Sequence, residues 1–468
     1  MSVPQILGVH AARDSVSLEM REIDTGRVLV SGRAKFASGS DNHGEQDPTV
    51  WWQGLLDARH QAGGALGVAA ISVAAQQRGL VALDSDGALV GPALVGDHFD
   101  SRSATTALLN ERSPEDWATA CGSVPDSSFS ISKVASIREN RPDDYNRIVA
   151  LLQPHDWLTY RLGRRAVTDR GDASATGYWS PRENRWRPDL LAQIDSERDW
   201  ALGLPRVLES GEPAGDREGV VVAAGTGAPM AGALGLLLSP GDVVIDLGLG
   251  AQVFSVRELP VEDPTGSVFG FADASGRFMP LVPIVEARLI FDQAASVLGG
   301  DRGRFDQWAS NSPPGAAGLV FAPPTNRSAI NGGGVIAGRL FGIKTGISPE
   351  NVARAVMEGV ACAALDAVDA LGTADVATRG KLFLIGGIAR SHVLQQCLAD
   401  LSGRAIYVSK TDPTVAGACL QAAAVTTGEK VSAIAAAWGL PDTRIVEPDP
   451  QFDAEEIRSI SRAARTRR

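Results

Sequence analysis

The chain has 468 residues, 44% of them hydrophobic and 21% charged, with a formal net charge of −11 at pH 7. That length suits two or three domains with ample core. The acidic balance argues against nucleic acid or an anionic membrane surface as the main partner.

The first predicted element is a strand, "QILGVH" (Gln5–His10). A short loop leads to "SVSLEMREI" (Ser15–Ile23), and "DTG" turns into "RVLVSGRAKF" (Arg27–Phe36). Turn residues between such segments predict a strand meander. "PTVWWQGLLDARHQAG" reads as a helix, "GVAAISVAA" as a strand, and "GLVALDSDGALVG" as a hairpin turning at "DSDG". The run "SISKVASIRENRPDDYNRIVALLQPHDWLTYRLG" repeats its apolar residues near the helical period and is predicted helical throughout.

Val220–Leu238, "VVVAAGTGAPMAGALGLLL", carries no charge over a length close to a membrane span. Its glycines and proline divide it into a buried strand, a turn and a helix packed through small residues.

The second half opens as the first does. "GDVVIDLGLGAQVFSVREL" (Gly241–Leu259) is again strand, glycine loop, strand, an imperfect repeat of "ILGVHAARDSVSLEM" that suggests duplicated domains. A helix "SPENVARAVMEGVACAALDAVDAL", a strand and turn "KLFLIGGIARS", a strand "AIYVS" and an Ala-rich helix "TVAGACLQAAAVTTG" follow. Alternating strands and helices predict α/β layers. "DAEEIRSISRAARTRR" reads as a polar, solvated helix with a frayed basic tip. The expected division is 1–239 and 240–468, two lobes facing a cleft, with the last helix packing back on the first lobe. Cys121, Cys362, Cys397 and Cys419 show no metal-ligand spacing and read as buried thiols of a reducing, cytoplasmic compartment. No basic stretch ahead of an apolar run opens the chain, so no leader peptide is expected.

Three glycine turns follow strands: Gly225–Pro229, Gly248–Ala251 and Gly386–Ser391. Exposed amides on tight turns cradle phosphates, so three of them in a duplicated α/β chain favour a nucleotide site.

These segments, in this order, resemble the FGGY carbohydrate kinases, most closely the xylulokinase branch. The resemblance rests on "QDPTVWW", "AISVAAQQRGLVALDSDGALVGPALVGDHFDSRS", "LLQPHDWLTYRLGRRAVTDRGDASATGYW", "PPGAAGLVFAPP", "RAVMEGVACA", "LFLIGGIARS" and "AGACLQAAA". It implies a duplicated actin-like/ribonuclease H-like α/β fold of the sugar kinase/Hsp70/actin superfamily, with ATP, Mg²⁺ and a sugar meeting between the lobes. By the same resemblance Gln76, Gln77, Arg78, Asp100 and Arg102 face the sugar. Gly248, Gly250, Gly386, Gly387 and Ala389 face the nucleotide; Arg13 is a phosphate contact or a solvated loop residue, and Asp246 is a metal ligand or a cap of its turn. A soluble cytoplasmic homodimer is the default expectation.

The sequence departs from the family where the chemistry lies. The family's Gly-Gly-Gly-Asp-Asn, whose Asp is the base, ends here in Ala228 and Pro229. Alanine accepts no proton, and Pro229 has neither a side-chain donor nor an amide. The family's Asp-x-Gly-Thr loop, with a Lys after it, reads His10, Ala12, Arg13 and Ser17 at those positions; Gln77 and Arg78 replace Met-His in the sugar turn, and Leu249 replaces a Thr. Three functions compete: a sugar kinase whose base comes from Asp100, Asp246, His10 or elsewhere; a pseudokinase that binds sugar or nucleotide or regulates; and another ATP-linked activity on the Asp246 loop.

Overall fold

The computed structural model describes residues 4–37, 41, 42, 44–64, 67–98, 100–284, 286–324 and 338–466. The chain forms two compact units: Met1–Leu238 with Val256–Pro280 and Thr411–Asp442, and Ser239–Ser255 with Leu281–Lys410 and Thr443–Arg468. Residues 256–280 and 411–442 of the second half thus complete the first unit.

The first unit is built on a seven-stranded sheet. Its order is Pro213–Arg217, Val220–Ala223, Ala70–Ala75, Gln5–Ala11, Ser15–Glu22, Val28–Lys35, with the short strand Thr226–Gly227 also beside Ala70–Ala75. Gln5–Ala11 runs parallel to Ala70–Ala75, which runs parallel to Val220–Ala223; the outer pairings are antiparallel. The second unit repeats that pattern. Thr443–Val446 lies antiparallel to Ile406–Ser409, which is parallel to Leu382–Ile385. Leu382–Ile385 in turn is parallel to Val243–Asp246, which is antiparallel to Gln252–Ser255. The repeat read from the two strand–loop–strand segments is therefore a repeat of the whole sheet order.

Alternation along the first unit's strands decides what covers each face. Leu7, Val9, Ala11, Ile71, Val73 and Ala75 belong to one aliphatic core with Trp51 and Trp157. Ile6 and Ala70, on the other face, pack with Val415, Cys419, Ala422 and Ala423 of the helix Pro413–Thr427. That helix approaches closely because the strands offer it little bulk. A Cβ on Gly8 would lie 2.5 Å from Cys419 Sγ and 2.7 Å from the Val415 carbonyl. All four cysteines are buried and free.

Val220–Leu238 is not one helix. It gives the strand Val220–Ala223, the turn at Gly225 (φ +76°), and the helix Ala228–Gly235. No helix among the described residues is long and apolar enough to cross a membrane. Helix Ala228–Gly235 crosses Pro413–Thr427 with backbones nearly touching. A Cβ on Gly417 would fall 1.8 Å from the Ala231 carbonyl, and one on Gly235 would fall 2.0 Å from the Pro413 carbonyl. Pairing 231 with 417 and 235 with 413 makes the two helices antiparallel.

Two expectations need correcting. The segment expected to be helical throughout is interrupted by the strand Ala150–Leu152, which pairs with Val81–Leu83. Pro142 and Pro154 each sit at the first turn of a helix and so mark new starts on either side of it. The final helix, Ala454–Thr466, lies in the second unit rather than on the first, and its basic face is docked. Arg458 reaches Asp369 at 2.5 Å, Arg462 reaches it at 2.9 Å, and Arg465 bonds Asp366. Ser461 and Ala464 are buried beneath them.

Candidate functional site

In the first unit the candidate residues gather where parallel strands end, the usual place for ligands in α/β sheets. His10 is in register with Ala74, and Ala74 on its other side with Thr226; Ala11, Ala75 and Gly227 form the next row. Strands spaced about 4.8 Å apart put His10 and Thr226 roughly 10 Å apart. Ala228 follows directly, flanked by Gly227 as N-cap and Pro229 at the start of the helix. Ala228 itself has no side chain that can take a proton.

His10 has a partner that the sequence reading overlooked. Its Nδ1 lies 3.4 Å from Asp412 Oδ2, and the ring is 18% exposed. Asp412 is the N-cap of helix Pro413–Thr427, and its Oδ1 accepts the amides of Thr414 at 2.9 Å and Val415 at 3.4 Å. Burial pushes the Asp412 carboxyl up, but His10 and these two amides outweigh it and hold it below its ordinary value. Asp412 therefore stays ionised, and accepts a proton-bearing Nδ1.

Behind the Gly225–Ala228 turn lies a buried polar cluster. His155 Nδ1 is 2.5 Å from Asp172 Oδ2, and Nε2 is 3.1 Å from Asp156 Oδ1. Asp169 Oδ2 accepts the Thr226 hydroxyl at 2.7 Å. A Cβ on Gly227 would stand 2.9 Å from Asp172 Oδ1, so a larger residue there would push on that carboxylate. Burial alone would lower His155, yet the charges of Asp156, Asp172 and Asp169 lift it to about 9. Burial raises Asp156 to about 7 and also raises Asp172.

The residues expected at the sugar share one turn but point three ways. Gln76 donates to Gln46 Oε1 at 3.0 Å; Gln46 also accepts Trp51 Nε1 at 2.7 Å and donates to the Arg13 carbonyl at 3.0 Å. Gln77 reaches the Gly171 carbonyl and Met230 Sδ, both at 3.4 Å. Arg78 adopts φ +62°, donates to Ser128 at 3.0 Å and lies over the Phe269 ring at 5.6 Å. Beside it Lys133, 0% exposed, donates to the carbonyls of Arg78 and Ser128. Burial first, and the Arg78 charge second, lower the Lys133 amine to about 7. Arg102 bonds Asp97 at 3.1 Å, while Asp100 is exposed at the start of helix Ser101–Glu111. Arg13 sets its guanidinium against Gly96: a Cβ there would lie 3.6 Å from Nη1.

In the second unit the two remaining turns are neighbours. Asp246 is in register with Ile385, and a Cβ on Gly386 (φ +101°) would strike the Gly248 amide at 2.4 Å and Asp246 Oδ1 at 2.8 Å. Asp246 Oδ1 accepts the Gly248 amide at 2.9 Å. Gly250 and Gly387 face open space, so a ligand can approach their backbones. Ala389 is buried, and its carbonyl accepts Gln395 Nε2 at 2.6 Å.

The open backbone at Gly250 and Gly387 is of the kind that would take a nucleotide's phosphates, and Asp246 is the carboxylate that would hold Mg²⁺ beside them. The first loop does not fit Mg²⁺. His10 is a nitrogen donor, and Asp412 commits its oxygens to two amides and the ring. Among the described residues, His155, Asp156 and Asp172 have ligand atoms within 4.8 Å of one another. Both nitrogens of that imidazole already face carboxylates.

Two units of one repeated sheet order define an α/β protein of the actin-like type. Residues 23–235 match the N-terminal domain, and 287–425 the C-terminal domain, of the FGGY family of carbohydrate kinases. The chain is 36% identical to the xylulose kinase of Streptomyces coelicolor over 447 residues, covering 93% of this chain and 91% of that one. It is 27% identical to the xylulose kinase of Escherichia coli, covering 77% of each. The crystal structure of xylulose kinase from Bifidobacterium adolescentis superposes with a TM-score of 0.79 at 28% identity, over 99% of both chains. The ligand-bound xylulose kinase from Lactobacillus acidophilus shares the fold, with a TM-score of 0.86 at 18% identity over 99% of this chain and 98% of that one. The chain belongs to the FGGY family of carbohydrate kinases.

Proposed function

We propose that this protein is a xylulokinase-like ketose kinase whose phosphotransfer is strongly weakened. The observation that carries this is Ala228, which opens its helix where the family's base stands and offers no proton acceptor. Losing a general base costs about 10²–10⁴-fold. The first loop adds to the loss, because phosphoryl transfer depends on positioning and charge stabilisation. There His10 and Arg13 replace the small and acidic residues, and Arg13 turns to Gly96. ATP is the expected donor, with its adenosine side at Gly386, Gly387 and Ala389 and its phosphates near Gly248 and Gly250. Mg²⁺ at Asp246 would neutralise phosphate charge. The sugar is expected at the turn of Gln76, Gln77 and Arg78, where Arg78 with its neighbour Lys133 alters the preference away from an ordinary ketopentose. The second reading is a cytoplasmic pseudokinase that binds sugar or nucleotide and regulates. It is favoured by the ties that Gln76, Gln77 and Arg78 already make within the protein.

The test is direct detection of sugar phosphate from purified protein with ATP, Mg²⁺ and a panel of ketoses and polyols. Turnover well below the ordinary range of roughly 1–10³ s⁻¹ is expected. A rate near 1 s⁻¹ on any sugar contradicts the weakened-kinase reading, and no product with binding retained favours the pseudokinase.

A further inference from the structure

The pair His10–Asp412 has the parts of a base that the loss at position 228 removed. His10 ends the strand Gln5–Ala11 at the same sheet edge as Ala228, on the opposite flank of the strand Ala70–Ala75. Its ring is partly open to solvent. Asp412 takes Nδ1, so the lone pair resides on Nε2, for which no partner is found among the described residues. Asp412 is itself fixed, because two helix amides hold its other oxygen. His10 and Thr226 flank Ala74 in one row of that sheet edge, two strand spacings or roughly 10 Å apart along the backbone, and Ala228 follows two residues after Thr226.

We propose that His10 Nε2, oriented by Asp412, is the proton acceptor for the residual phosphotransfer; this rests on the weakened-kinase reading above. The acceptor hydroxyl of the sugar gives its proton to Nε2 as its oxygen bonds the γ-phosphorus of a nucleoside triphosphate. The bond from that phosphorus to the β–γ bridging oxygen breaks, and the nucleoside diphosphate leaves with the electron pair. The imidazolium then returns its proton to water.

The experiment measures sugar phosphate formed by wild type, His10→Ala, His10→Gln and Asp412→Asn with ATP, Mg²⁺ and the ketose panel. Each variant is checked for folding by thermal unfolding. His10→Ala should lower kcat at least about 100-fold, and added imidazole should restore part of it, which a structural role would not allow. His10→Gln covers the case in which the Ala variant does not fold, and should be as slow without rescue. Asn caps helices as well as Asp. Asp412→Asn should therefore keep the helix, leave KM unchanged and lower kcat at least tenfold. Wild-type product with His10→Ala or His10→Gln equally active overturns the dyad and leaves the kinase reading standing. Calorimetric binding of ketose or ATP with no product from wild type overturns both.

Discussion

Ala228 and the residues around it set the limits of what one substitution can repair. Ala228→Asp would place a carboxylate at the first turn of a helix, where the dipole favours it. The first loop would still carry His10, Arg13 and Ser17. We expect less than tenfold recovery in the sugar phosphate assay; a gain of 100-fold or more would mean that the phosphate site is intact. Two buried cations are a second residue-scale feature with a pH signature. His155, raised to about 9, keeps a proton between roughly pH 6.5 and 9 that the unfolded chain releases, so its contribution to stability falls with pH across that window. Lys133, lowered to about 7, loses a proton that the unfolded chain keeps up to about pH 10, so its contribution rises. The two oppose each other from pH 7 to 9. Lys133→Met removes the rising part, and its melting temperature should drop more steeply with pH than that of wild type; an unchanged slope would refute the assignment. Sequence reading found neither Lys133 nor Asp412. A lysine in "ISKVASI" looks like a helix's solvent face, since nothing local shows that two carbonyls await it. Asp412 did carry a signal, an Asp-Pro pair ahead of an apolar run, which marks an N-cap.

Elements were legible where their periodicity was long and their punctuation strong. The strands near Gln5, Ser15 and Val28, the helices Thr49–Gln61 and Pro349–Thr373, and the strand–turn–helix of Val220–Leu238 lie within a few residues of their sequence-based bounds. The strand Ala150–Leu152 did not show, because three apolar residues between helices fit either period and only pairing with Val81–Leu83 decides. The docked final helix was missed because acids 89 to 99 residues away in sequence, Asp366 and Asp369, hold its arginines. Small residues in "AGALG" and "VAGACL" announced close packing without naming the partner. That partner is the crossing of Ala228–Gly235 with Pro413–Thr427, which packs Ala231 and Ala418 against Ala74. Gly417→Val drives a branched side chain into the Ala231 carbonyl and should destabilise by about 3 kcal/mol or more. Denaturant unfolding measures it, and a loss below about 1 kcal/mol would show that the helices can part without penalty.

Across the whole molecule, most of the departures from the family's pattern fall in the first unit, at His10, Ala12, Arg13, Ser17, Gln77, Arg78, Ala228 and Pro229. The glycine turns at Gly248–Gly250 and Gly386–Gly387 retain open backbone, while the first loop carries His10 and an Arg13 turned to Gly96. Adenosine contacts should outlast phosphate contacts. Calorimetry is expected to find ATP with Mg²⁺ bound less than about 100-fold tighter than adenosine, a gap of roughly 2.7 kcal/mol; a larger gap would show a working phosphate site. The fold class was legible from the repeat because each half opens on the same strand–loop–strand, whereas the return of residues 256–280 and 411–442 to the first unit was not. That return has a consequence for synthesis. Until Thr411–Asp442 leaves the ribosome, the strand face bearing Gly8 and Ser72 has no helix to cover it, since Cys419 and Gln421 are its neighbours. About 200 residues separate Leu238 from the end of that segment. At about 5–20 residues per second, the nascent first unit carries an uncovered apolar sheet for roughly 10–40 s. The first unit is therefore completed only after most of the second has been made, although it holds the start of the chain.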